Sequence, residues 1–526
     1  MSFVPNANQQ SAFYDPIYGL TDREKRYLEK SWATEFSRTV FPAINEERFS
    51  VLYSDNIASR PNTPVNIIIG ALLIKEMMGL TDEELFEHIM FSAQYQYALH
   101  TESCDEQPFS DRTLSRFRER VYNYAVETGR DLIQEEIMSL SEVISGRLGV
   151  TSKLQRVDST MVSAACRRLA RISIMHLTVR GMAEMIKDAD KAEEYGDILV
   201  KYYRNGESDD VSYRLKGDDV RAKMEEILAD ALTILERAKD AFGETDEYRR
   251  LLRMVDDQSK ISSAGSRELK KGKEILPTSM QTPYDEKATY RKKSGKQYVG
   301  YTLNVVESCG DGANVIDGYD LQQNNYSDEQ FAEDVLNSKQ QDSETSVIMT
   351  DGAYCSTKTL DMAEKKGIDL SATAMAGGVK DDFETGFDID GETGEIKRCP
   401  AGYEPDSSVY KNGKHVGYFD DSVCENCPYC ERCPGEFQKN RAKIEVTDAA
   451  IKKAEFVSRK ASNDDMEIYA RKRNGVEGVF SVLKRKYLLD HIPVRGLLRK
   501  KMWIGFKIGA MNVMNLVNAQ LSTVNM

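Results

Sequence analysis

Three acidic residues stand in settings suited to chemistry at phosphate. Asp158 closes a strand-like run, Leu154-Gln155-Arg156-Val157-Asp158-Ser159-Thr160, and Asp351 closes another, Val347-Ile348-Met349-Thr350-Asp351-Gly352. Glu477 sits in a basic, helix-forming stretch between Arg473 and Lys484. Hard divalent cations such as Mg²⁺ or Mn²⁺ take oxygen ligands, and in-line displacement at a phosphodiester is served by a cation at both the attacking and the leaving oxygen. Two Asp and one Glu supply carboxylates for such a pair of ions. They lie far apart along the chain, so only a fold could bring them together.

The stretch around Glu477 carries the most specific pattern. At about 100° per residue, Arg473, Glu477 and Lys484 share one helix face. Val476, Val479, Phe480, Leu483 and Tyr487 form an adjacent stripe suited to packing on a sheet. Glu477 would then face a polar cleft with a cation on either side. Those cations favour its ionised form and could hold nucleic-acid phosphates. The competing reading is a surface helix with ordinary ion pairing one turn apart.

A second constellation is Cys399-Pro400-Ala401-Gly402 followed by Cys424-Glu425-Asn426-Cys427-Pro428-Tyr429-Cys430-Glu431-Arg432-Cys433-Pro434. Thiols at two-residue gaps suit tetrahedral Zn²⁺, and Cys399, Cys424, Cys427 and Cys433 form one candidate set with Cys430 to spare. The run also resembles an iron–sulfur motif whose last gap would be three residues instead of two. Reduced structural cysteines are the third reading. Cys104, Cys166, Cys309 and Cys355 are scattered and read as packed thiols.

The elements that must position these groups can be read in outline. The first ~145 residues are helical. Pro64 suits a first turn, Val65–Met78 has helical spacing, and Gly79 suits a stop. Thr81-Asp82-Glu83-Glu84 is a capping box. Ser110 can cap a helix running from Asp111, on which Arg112, Arg116 and Arg120 recur every fourth residue and make a basic stripe. Around Asp158 the pattern turns to a strand, and residues ~165–285 are again helical with no strand signal. Strands follow at Gln297–Val306 and Ala313–Leu321, then a helix capped by Ser327, a strand at Ser346–Thr350 and another at Ile368–Thr373. The Glu477 helix and an apolar helix from Leu497 to about Val517 close the chain.

Composition sets the outer bounds. With 526 residues, 40% hydrophobic and 30% charged, the chain can build large cores and reads as globular. No apolar run reaches the ~18 residues of a membrane span, and Met1–Asn6 lacks the pattern of a secretory leader. The expectation is a cytoplasmic protein with reduced cysteines. The net charge of −14 is uneven: from Lys439 onward there are 18 Lys and Arg against 8 Asp and Glu. A basic C-terminal part on an acidic body is compatible with local phosphate contact, or with a solvated basic surface.

These motifs together resemble the bacterial insertion-sequence DDE transposases that have a helical N-terminal region. Arg473-x3-Glu477-x6-Lys484 matches the R, E and K of that group's YREK signature, while Ala470 stands where its tyrosine would fall and Tyr469 comes one residue early. Val157-Asp158-Ser159-Thr160 and Thr350-Asp351-Gly352-Ala353-Tyr354 are similar to the first and second Asp motifs. Tyr290-Arg291-Lys292-Lys293-Ser294-Gly295-Lys296 with Gly300-Tyr301 resembles the segment entering the second strand. Ser110-Asp111-Arg112-Thr113-Leu114 with Phe117-Arg118 resembles a motif of the helical region.

The resemblance implies an α/β, RNase H-like catalytic domain over residues 148–526, behind a helical DNA-binding region of residues 1–147. Helical and Cys-rich insertions would fall at about 165–290 and 378–445. It implies two Mg²⁺ (or Mn²⁺) ions on Asp158, Asp351 and Glu477, with Arg473, Lys484, Arg112, Arg116 and Arg120 against DNA phosphates. The implied reaction is metal-dependent hydrolysis at the element's ends, then attack of the freed 3′-OH on target DNA. A homodimer in the cytoplasm, associated with the nucleoid, would hold the two ends. Other readings are an RNase H-fold nuclease without strand transfer, a retired transposase kept as a DNA-binding or regulatory protein, and an iron–sulfur redox protein.

Overall fold

The computed structural model describes all residues except 7–18, 57, 102–109, 111, 167–168, 204–210, 212–214, 264, 294, 341–343, 373, 376–381, 463–464 and 525–526. Cys104, Asp111, Ser294 and Thr373 therefore lie outside the described residues.

In the N-terminal region the helix Val65–Met78 is buried nearly all round, because its run of Val, Ile and Leu leaves no polar face. Pro64 stands just before its first turn, one position earlier than expected, and the amides of Val65 and Asn66 are received by Glu46 Oε2 at 2.9 and 3.3 Å. A carboxylate thus takes the capping role that proline cannot fill. Gly79 ends the helix at φ 71, a left-handed conformation free of strain for glycine. The Thr81–Glu84 capping box opens Asp82–Phe91. The next helix starts at Thr113, two residues later than expected, because Ser110 turns its amide onto Thr113 Oγ1 (3.0 Å). Leu132–Leu148 follows.

The main sheet is built on β1 (Leu154–Ser163). After it comes a helical segment, Arg171–Asp188, Asp218–Phe242 and Asp246–Gln258, which closes a hydrophobic core of its own. That segment also carries a small hairpin, β2 (Ser259–Ile261) and β3 (Arg267–Leu269). Three-residue strands are too short to show alternation, so the sequence reading of this stretch as free of strands misses them.

The chain then returns to the sheet with β4 (Thr289–Lys293), β5 (Lys296–Cys309), β6 (Asn314–Gln323), β7 (Val347–Thr350) and β8 (Asp369–Ala372). Here β1 runs antiparallel to β5 and parallel to β7, and β8 pairs parallel with β7. The far edge of β5 is shared by β4 and β6. Asp328–Ser338 links β6 to β7, and Thr357–Glu364 links β7 to β8. Three antiparallel strands followed by two parallel ones, with helical links between the last three, is the strand order the sequence led us to expect, with β4 as an addition.

The Cys-rich stretch holds a ribbon of β9 (Asp388–Ile389) and β10 (Ile396–Arg398). Beside it lies a four-stranded antiparallel sheet of β11 (Ser407–Lys411), β12 (Lys414–Phe419), β13 (Gly435–Gln438) and β14 (Arg441–Thr447), in the order β11-β12-β14-β13. Phe383, Phe419, Ile444 and Val446 form its small core. Two helices, Asp448–Ser462 and Met466–Arg485, lead back to the main sheet, where the second packs on β1 and β7.

The last helix, Leu497–Val524, packs on Val65–Met78, Leu132–Leu148 and β6, so the N-terminal helices and the main sheet share one core. Asn512 clips this helix to the sheet: its side chain bonds both the amide (3.0 Å) and the carbonyl (2.7 Å) of Ile316. A buried amide satisfied on both sides fixes the register of the contact.

Candidate functional site

Asp158 and Asp351 come together where β1 and β7 part. The two strands pair through Leu154↔Val347, Gln155↔Ile348 and Arg156↔Met349, and continuing that register by two residues sets Asp158 level with Asp351. Asp158 does not end its strand, as its sequence setting suggested, since β1 continues against β5 to Ser163. What ends at Arg156 is the pairing with β7, and at the opening so formed Asp351 is exposed while Asp158 is half-buried.

Each carboxylate is aimed by its own backbone. Asp158 Oδ1 accepts from the Ser159 amide at 2.7 Å, and Asp351 Oδ1 accepts from the Gly352 amide at 2.6 Å. Burial pushes the Asp158 carboxyl above its usual range. The Ser159 amide and Arg473 pull it back only in part, and the charge of Asp351 adds to the rise.

Arg473 reaches into this opening. Its Nη2 stands 3.6 Å from Asp158 Oδ2 and 3.8 Å from Asp351 Oδ2. The helix that carries it is held by Arg156, on β1 two residues before Asp158 and therefore on the same sheet face. Arg156 donates to Glu307 Oε2 and to the carbonyl of Lys472, both at 2.5 Å. A β-carbon at Gly475 would overlap Arg156 Nη1, so glycine there lets the helix come this close. Val476, Val479, Phe480, Leu483 and Tyr487 are all buried in the main core and set the rotation of the helix.

Glu477 lies one turn beyond Arg473, about 6 Å along the helix axis, and is exposed. It does not join the two aspartates: among the described residues no three Asp, Glu, His or Cys side chains converge as a metal-binding group. Lys484 is further along and pairs with Asp490 at 3.6 Å, beside the end of β1, where Asp490 Oδ1 accepts from the Ser163 amide at 3.2 Å.

Several groups at the opening escaped the sequence reading. Asp328, buried at the start of its helix, accepts from Ser159 Oγ at 2.8 Å and faces Arg291 Nη2 at 3.9 Å. Tyr354 is buried beside the three aspartates and donates to Asn304 Oδ1 at 2.8 Å. Arg156 had a usable signal, since period-2 alternation places it on the face of Asp158. Asp328 had only its place after the Ser327 cap.

The predicted arginine stripe divides in two. Arg112 stands before the Thr113–Thr128 helix and is exposed, whereas Arg116 and Arg120 lie on it. Cys399, Cys424, Cys427, Cys430 and Cys433 all line one cavity of about 30 Å³, although no three of their thiols converge as a metal-binding group. Cys399 is buried and Cys430 exposed, and all five are free thiols. Burial and then the neighbouring thiols push the Cys424 thiol up to about 11, and burial raises Cys433 as well. Cys309 and Cys355 are buried, and Cys166 is half-buried.

No helix among the described residues is long and apolar enough to cross a membrane. Two families match the sequence: the Transposase DDE domain over residues 398–517 and the Transposase domain (DUF772) over residues 25–120. The first stretch holds the cysteine run, Arg473, Glu477 and Lys484, and the second holds Arg112, Arg116 and Arg120. Neither includes Asp158 or Asp351. No curated protein and no solved structure matches the chain. A DDE domain implies an RNase H-like α/β fold, in keeping with the strand order described above, and such domains generally act on DNA with divalent metal ions. Over residues 25–120 and 398–517, then, the chain is similar to transposase domains, the second of them of the DDE type.

Proposed function

We propose that the chain cleaves DNA at the ends of an insertion sequence and joins the freed 3′-OH to target DNA, with Asp158, Asp351 and Glu477 as the catalytic carboxylates. The observation that carries this reading is the pair Asp158 and Asp351, set side by side at the parting of β1 and β7 and bridged by the guanidinium of Arg473. Two carboxylates sharing one cation are a site built for positive charge, and the oxygen donors fit Mg²⁺ or Mn²⁺. A divalent ion bound there would supply the Lewis acidity that in-line phosphoryl chemistry needs. The chain's own part is to hold the two aspartates through the Ser159 and Gly352 amides, and to present Glu477 one helical turn from the cation they share.

In this reading Arg473 stands in for the missing positive charge and turns to a DNA phosphate when substrate and metal arrive, as Glu477 closes on the aspartates. Lys484, Arg112, Arg116 and Arg120 add phosphate contacts, and the cysteine set carries a structural Zn²⁺ on Cys399, Cys424, Cys427 and Cys433. Two ends must be held at once, which makes a homodimer the working unit; sedimentation with and without end DNA tests that.

The decisive experiment is cleavage of a duplex carrying the element's own ends, with and without Mg²⁺. Asp158→Asn, Asp351→Asn and Glu477→Gln should each lower the rate by at least about 10³-fold, the scale of losing an essential electrostatic group. If Asp158→Asn cleaves as well as the parent protein, the proposed site is wrong.

A further inference from the structure

A second cation-lined site lies away from the aspartates, on the helical N-terminal region. A polar cavity of about 320 Å³ opens at the first turns of the Thr113–Thr128 helix, and Arg60, Arg116 and Arg120 meet there with the hydroxyls of Thr63, Ser110 and Thr113. Arg60 comes from a separate loop, so the sequence stripe alone does not show the convergence. Arg112, the third member of that stripe, is not part of the lining.

These three arginines have no carboxylate partner among the described residues. Their neighbour Arg118 is different: it is spent on Asp82 through two hydrogen bonds of 2.6 and 2.9 Å. Glu46, the acid that acts on nearby Tyr53, is committed to the amides of Val65 and Asn66. Arg120 is held in place with its guanidinium 5.0 Å above the Tyr53 ring. Three guanidinium groups that share one cavity, with no carboxylate paired to them among the described residues, repel one another. The gathering is favourable once an anion enters, and the positive end of a 16-residue helix points the same way. Hydroxyl donors beside planar guanidinium forks match the oxygens of a phosphate.

We propose that this cavity seats a backbone phosphate of DNA, with Arg60 and Arg116 as its main charge partners and Arg120, braced by Tyr53, as the third. The proposal rests on the DNA-binding reading above and adds a defined contact on the matched N-terminal stretch. A phosphate contact carries no base information, so it fixes the position of the region on a duplex without choosing the sequence.

The test measures affinity of the full-length protein for duplex DNA across a salt series. Arg60→Gln and Arg116→Gln are each expected to reduce the slope of log affinity against log salt by about 1, with the same loss on unrelated sequences. Arg221→Gln, which removes a charge paired with Glu225 on the helical insertion, serves as the control, and melting curves establish that every variant is folded. If the parent protein binds DNA but Arg60→Gln leaves affinity and slope unchanged, the phosphate seat is refuted while the transposase reading stands. Absence of any DNA binding by the parent protein would remove both. Inorganic phosphate separates the sources of anion: competition against the Arg60-dependent part of DNA binding supports the proposal. Arg60-dependent binding of inorganic phosphate with an unchanged DNA slope makes the cavity a free-anion site and overturns it.

Discussion

Arg473 Nη2 stands 3.6 Å from Asp158 Oδ2 and spans to Asp351 Oδ2 at 3.8 Å, so one guanidinium balances two carboxylates that a divalent ion would otherwise share. If these aspartates hold the metal as proposed above, guanidinium and metal compete for the same oxygens. Arg473→Gln leaves the aspartates to repel each other and removes the competitor. We expect Mn²⁺ to bind the variant about tenfold more tightly, equivalent to ~1.4 kcal/mol, and to raise its melting temperature more than that of the parent protein. Calorimetric titration reads this directly, without activity. A smaller Mn²⁺-induced shift in the variant would mean that Arg473 helps to hold the ion.

Gly475 and Gly478 lie on the same helix and should respond to alanine with opposite sign. At Gly478 nothing lies within 4 Å of a built β-carbon, so Gly478→Ala should gain about 0.5–1 kcal/mol from reduced chain entropy. At Gly475 the new methyl meets the Arg156 guanidinium, which is itself tied to Glu307 and Lys472. There we expect a loss of about 1–3 kcal/mol from overpacking, together with lost DNA cleavage as the helix is pushed from β1. Denaturant unfolding of the two variants settles the matter. Equal effects would show that the helix is free to shift.

The strand order was legible because it rests on local pattern, and so was the nearness of Asp158 and Asp351, although Asp158 lies inside β1 and not after it. Arg156 was not, because its meaning comes from Glu307, 151 residues away, and from a helix backbone further still. For Glu477, helical periodicity identified the buried stripe correctly, yet it could not say where along the sheet the helix sits. That longitudinal position is set by the Arg156–Lys472 contact, and it puts Arg473, not Glu477, at the aspartates. Strands β11 and β13 were invisible for another reason, since they show no hydrophobic alternation, whereas β12 and β14 do alternate and were missed all the same.

The cysteine cavity yields a prediction about metal content. Five thiols around about 30 Å³ leave room for little beyond one ion. Thiolates, not thiols, bind Zn²⁺, and the upward shift of Cys424 and Cys433 in the free protein makes loading a release of protons. Protein purified without chelator should hold about one Zn²⁺ per chain, losing it on acidification and in Cys424→Ser or Cys427→Ser. Elemental analysis gives the answer. A brown protein with visible absorbance would instead place iron and sulfide in the cavity.

The N-terminal helices contain a buried acid with a measurable pH signature. Glu136 is almost wholly buried, accepts from the Asn45 amide at 2.9 Å and stands 3.3 Å from Arg48. Burial outweighs both partners and raises its carboxyl to about 7. A raised folded-state value means that the folded protein holds the proton more tightly than the unfolded chain does. The resulting stability is fully present below about 4.5 and is lost as pH climbs through about 7. The shift is worth roughly 3–4 kcal/mol at most. Glu136→Gln keeps a carbonyl for Asn45 and carries no titrating proton, so its stability should vary less between pH 5 and pH 8 than that of the parent protein. Urea unfolding at the two pH values tests this, and equal pH dependence in both proteins would assign the effect to other groups.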